Sequence, residues 1–169
     1  IADGLTDNQL KRLVRSGTYT KVRQGAYVLT SDWDKLKAEQ QHRLRLRAIL
    51  RTAHPSTVGT HRSAVIELGG PLWGIGLGIV DTTRTDKPRA GRKAPDWVQH
   101  RNRLAPDDVT ERDGVRFSKA PRAALEVCTI ANAEAGLIAT NGLLRIKAMT
   151  VTEFHDTVDA HQDWPNSLS

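Results

Sequence analysis

Apolar residues in the first third of the chain recur at helical spacing in two places. Leu10, Leu13 and Val14 mark one face of a helix over 5–16, with Thr6 as its N-cap and Gly17 as its stop. The opposite face carries Asn8, Lys11, Arg12 and Arg15, at i, i+3, i+4 and i+7. Two β-prone runs over 18–29 flank Gln24-Gly25 and predict a hairpin, with Lys21, Arg23 and Gln24 at or beside its tip. After a polar break over 30–34, a second helix is expected over 35–53. Leu46, Ile49, Leu50 and Ala53 form its apolar stripe, Arg43, Arg47 and Arg51 a basic one, and Pro55 ends it.

From residue 56 the pattern becomes mixed. A short helix is expected over 60–68, followed by the glycine-rich bend 69–78. Strands are predicted over 79–84 and 97–103, separated by a basic loop over 87–93. Asp113-Gly114 joins 109–112 to 115–118 as a hairpin. Helices follow over 121–131 and 133–145, and after Thr150, which has capping-box spacing to Glu153. The fold class is therefore α+β, in three parts: a recognition helix and wing over 1–33, a basic connecting helix over 34–55, and a mixed α/β domain over 56–169.

A helix with a cationic outer face, followed at once by a basic-tipped hairpin, has the order of the second half of a winged helix-turn-helix. The major groove of B-DNA is ~12 Å wide and admits one helix, whose Arg and Asn side chains suit bidentate base readout. Cations on the wing would meet phosphates. Charge agrees with this division: 1–60 hold 11 basic and 5 acidic residues, 61–103 hold 8 and 4, and 104–169 hold 6 and 10. A polyanion partner at the front is expected. The Arg43, Arg47 and Arg51 stripe is read as a continuation of the DNA surface, the alternative being a docking face for the acidic half.

Other chemistry is not supported by the pattern. No apolar run approaches the ~20 residues of a membrane-spanning helix, and the single cysteine, Cys128, excludes an intrachain disulfide. Gly74, Gly76 and Gly78 lack the dinucleotide-fingerprint spacing. The six histidines offer no helical zinc pair, and His155 and His161 are expected to face solvent. Ser63 lies two residues from His61 but without a third orienting group, so a packing role is expected. Asp107, Asp108, Glu111 and Asp113 flank a turn, where carboxylates are common. Trp73, Trp97 and Trp164 are expected as buried anchors. No enzyme activity, metal or cofactor is expected.

Several segments resemble one family. Gly4-Leu5-Thr6, then 10–17, then Val22-Arg23-Gln24-Gly25-Ala26-Tyr27, are similar to the winged-helix segment of AbiEi-type antitoxins of type IV toxin–antitoxin systems. The segments 42–48, 60–64 and 121–126 resemble that family's central region, so the likeness runs over about 3–130. The resemblance implies a cytoplasmic bacterial or phage regulator that represses its own promoter and counters a nucleotidyltransferase-like toxin. It also implies two helices ahead of the recognition helix, of which only residues 1–4 remain, so the winged helix is expected to be truncated at its start. The alternative is the DNA-targeting part of a longer endonuclease-like protein.

Overall fold

A computed structural model of the chain describes residues 4–87 and 91–161, and Trp164 and residues 88–90 of the basic loop lie outside the described residues. The described residues form seven α-helices and two sheets, a mixed α+β arrangement. Helix α1 (Asp7–Arg15) leads into the antiparallel pair β1 (Tyr19–Arg23) and β2 (Ala26–Leu29). The polar break at 30–34 holds a single helical turn, α2 (Thr30–Trp33), before α3 (Ala38–Leu50).

The remaining strands build one sheet. These are β3 (Thr57–Gly59), β4 (Val80–Arg84), β5 (Arg92–Ala94), β6 (Trp97–His100), β7 (Val109–Arg112) and β8 (Val115–Ser118), in the order β5-β6-β4-β3-β8-β7. Part of the expected basic loop is thus edge strand β5, paired antiparallel to β6 through Lys93 opposite Val98. The strand expected to reach residue 103 ends at His100. Helix α4 (His61–Leu68) follows β3, and α5 (Ala120–Cys128), α6 (Ala133–Arg145) and α7 (Val151–Asp159) complete the chain.

The local signals explain why these elements start and stop where they do. Thr6 and Gln9 close a capping box on α1, and Thr150 and Glu153 close another on α7. Asp113 and Gly114 both have positive φ, 53° and 70°, the backbone of a type I′ turn between β7 and β8. The core joins Leu46 and Ile49 of α3 to Ala64 and Val65 of α4, Phe117 of β8, the alanine face of α5, and Leu143 of α6. No described helix is long and apolar enough to cross a membrane.

Candidate nucleic-acid interface

Helix α1 has no buried residue. Leu10, Leu13 and Val14 are half-buried on the side that packs toward β1, whereas Asn8, Lys11, Arg12 and Arg15 are all exposed. None of these four side chains makes a hydrogen bond or ion pair with another described residue. Two turns of helix separate Asn8 from Arg15, so the row spans about 10 Å. Gly17, at φ +75°, ends the helix and turns the chain into β1.

In the hairpin, Lys21 stays exposed and donates to Gln24 Oε1 at 3.0 Å, which places both at the tip beside Gly25. Arg23 departs from the expectation. The register slips between Lys21 and Arg23, a bulge that re-aims the chain. The Arg23 guanidinium pairs with Asp96 at 3.0 Å and lies 5.1 Å from the centroid of the Trp97 ring.

The basic stripe of α3 also divides. Helix α4 ends at Gly69 in the left-handed region, where the Gly69 N–H donates to the Ile66 carbonyl and the Gly70 N–H to the Val65 carbonyl. Arg43 donates to the Ile66 carbonyl through Nε and a terminal nitrogen at 3.2 and 2.5 Å, and Arg112 donates to the Glu67 carbonyl. Arg47 pairs with the Glu67 carboxylate at 2.9 Å. Three cations therefore gather at a helix C-terminus, where the macrodipole favours them. Arg43 and Arg47 are bonded within the fold, and neither meets a described acid of 104–161. Arg51 is exposed, and with Asp7, Leu10, Gln24 and Gly25 it lines a cleft of about 500 Å³ between α1, the hairpin tip and the end of α3.

A second cluster, in the core, was not singled out by the sequence pattern. His42, Ser63 and Asp81 are fully buried. His42 Nδ1 faces the Leu77 carbonyl at 2.9 Å, so it carries the proton, and Nε2 accepts from the Ser63 hydroxyl at 2.9 Å. The Ser63 oxygen in turn accepts the Asp81 N–H. This serine has an imidazole partner, but it is His42 rather than His61. With no exposed surface, the pair joins α3, α4 and β4.

Next to it, His61 stands at φ +51° and stacks on His100 with ring centroids 3.7 Å apart. His100 Nε2 meets Asp81 Oδ1 at 2.8 Å, and Asp81 also pairs with Arg62. Glu126 accepts the His61 N–H at 2.9 Å, the Ser118 hydroxyl at 2.8 Å and Arg122 Nε at 3.2 Å. Burial holds the His42 and His61 imidazoles below their usual value, His61 well below it, with His100, Arg122 and Arg62 adding to the effect there. Burial pushes the Glu126 carboxyl up, against the pull of Arg122 and the donors of His61 and Ser118.

No buried side-chain polar atom among the described residues lacks a partner. The cluster is internally satisfied and holds elements together. Most of its partners lie 18 to 65 residues apart in the chain, so periodicity could not reveal it; the available signal was the density of polar residues over 57–63.

Three further expectations need correction or refinement. Trp73 is 63% exposed, because Leu72 and Ile75 on either side take the places against the core. Trp97 is buried as expected, with Nε1 donating to Thr82 Oγ1 at 2.7 Å. His161 is half-buried, its Nε2 2.5 Å from an Arg122 nitrogen, while His155 is exposed. Among the turn acids, Asp108 accepts the Ala105 N–H and faces Arg122. No group of three or more His, Cys, Asp or Glu among the described residues could hold a metal ion. No family model and no curated protein matches the chain.

Proposed function

We propose that this chain is a double-stranded-DNA-binding regulator in which α1 enters the major groove and the β1–β2 hairpin acts as a wing. The observation that carries the reading is the row Asn8, Lys11, Arg12 and Arg15. It is exposed, sits on one helix face, and makes no side-chain bond within the described protein. Lys21, Gln24 and Arg51 extend it around the cleft between α1, the hairpin tip and α3. Cationic side chains left unpaired on one face suit phosphates, and the Arg and Asn among them suit base edges. Repression of its own promoter, and neutralisation of a nucleotidyltransferase-like toxin as its antitoxin, are supported by the resemblance of the segments 4–6, 10–17, 22–27, 42–48, 60–64 and 121–126 to AbiEi-type antitoxins.

The test is fluorescence anisotropy with a duplex carrying the promoter of the protein's own gene, competed by unrelated duplex. Arg12→Ala or Arg15→Ala should cost ~1–3 kcal/mol and relax the sequence preference at one position. Wild-type affinity in all four single alanine variants of the α1 row would reject this surface. The antitoxin part is checked by growth rescue when the chain is co-expressed with such a toxin.

A further inference from the structure

The bulge in β1 places Arg23 against a receptor that is itself fixed. The Asp96 carbonyl accepts the Val80 N–H at 2.9 Å, and the Trp97 indole is anchored to Thr82 at 2.7 Å. Both residues are therefore tied to β4 in the interior of the six-stranded sheet. Arg23 reaches them from the strand end next to the tip residues Gln24 and Gly25. Its guanidinium pairs with Asp96 at 3.0 Å and lies 5.1 Å from the Trp97 centroid, while Arg92 lies 5.3 Å from the same ring. The side chain of Arg23 is 20% exposed, against 47% for Asp96.

We infer that Arg23 is a positioning residue: with Asp96 and Trp97 it fixes the wing relative to the sheet and touches no DNA itself. This rests on the DNA-binding reading above. A hairpin joined to the rest of the chain through short connections can swing at its tip. Only the orientation that aligns Lys21 and Gln24 with the α1 row is competent to bind. Holding that orientation raises the competent fraction, and apparent affinity follows it directly. A planar guanidinium suits the task because it can pair with a carboxylate and lie over an aromatic face at once.

Two measurements separate this role from a phosphate contact. In the free protein, hydrogen exchange of the β1 and β2 amides should quicken in Arg23→Ala and in Asp96→Ala but not in Lys21→Ala, with the melting temperature nearly unchanged. In DNA binding, Arg23→Ala and Asp96→Ala should each weaken affinity about tenfold. The double variant should be no weaker than either single one, and the slope of affinity against salt should not change. Lys21→Ala should instead flatten that slope by about one. A slope flattened by about one in Arg23→Ala, or equal or tighter binding in Asp96→Ala, would overturn the positioning role. Unchanged exchange in both clamp variants would overturn it as well. Absence of DNA binding by the wild-type protein, with the exchange result intact, would sink the DNA-binding reading and leave only a structural tie.

Discussion

At the scale of single residues, Glu126 and its neighbours weigh most on stability. Glu126 and Arg122 are both buried, and removing one partner strands charge or donors in the interior. Glu126→Ala should cost about 3–5 kcal/mol. Arg122→Met combined with Glu126→Leu should cost less than the two single changes together, because the charges leave the core as a pair. Urea unfolding of the four proteins measures this, and strict additivity would mean the two do not interact.

The same cluster sets a pH dependence. His42 and His61 are held below the usual 6.5 when folded, so the unfolded chain binds more protons once the pH falls through that value. Their contribution is full above about pH 6.5 and is lost toward acid. Glu126 works in the opposite sense. Its folded value is raised above 4.5, so its contribution is full below that pH and is lost as pH rises through the folded value. The two histidines should therefore pull the urea midpoint down between about pH 7.5 and about pH 5.5, with Glu126 acting against them. The fall should shrink in His61→Asn, since asparagine tolerates the positive φ at that position and does not titrate. An equal fall in both proteins would exclude His61 as the source.

At the scale of elements, what was legible in the sequence was what is encoded locally. Thr6 as an N-cap, Thr150 with Glu153, and Asp113-Gly114 each state a start or a turn within four residues, and the structure has each of them. Strands β3 and β5 were not legible. Each has three residues without alternation; β3 exists because the distant strands β4 and β8 supply its partners, and β5 because β6 returns beside it after Pro95-Asp96. The stripe on α3 misled for a related reason. Spacing shows that Arg43 and Arg47 share a face, but only the position of α4 shows that its C-terminus lies against that face.

Gly142 is a similar case, a glycine inside α6 that propensity alone would mark as a weakness. A Cβ there would stand 2.1 Å from two ring carbons of Pro71, in the glycine-rich bend. Alanine would gain about 1 kcal/mol in helix propensity but incur about 1–3 kcal/mol of overpacking against a ring that cannot rotate away. Gly142→Ala should thus lower the melting temperature, while Asn141→Ala, exposed on the same helix, should not. A stabilised Gly142→Ala protein would mean that the bend yields without cost.

At the scale of the whole molecule, the question is how many cations remain for DNA. The sequence marked eight on the front half: Lys11, Arg12, Arg15, Lys21, Arg23, Arg43, Arg47 and Arg51. Three are engaged inside the protein, Arg23 with Asp96, Arg43 with the Ile66 carbonyl and Arg47 with Glu67. Five remain exposed. Each phosphate neutralised releases counterions, and log affinity falls with log salt by about 0.9 per phosphate on B-DNA. Eight contacts would give a slope of about −7, and five give about −4.5 at most. Any of Arg12 and Arg15 that reads a base edge instead of a phosphate makes it shallower. Affinity for one duplex, measured across a salt series from low to physiological concentration, should therefore fall along a line no steeper than about −4.5. A slope near −7 would require cations beyond this row, and Arg92 and Lys93, exposed on edge strand β5, would be the first to replace.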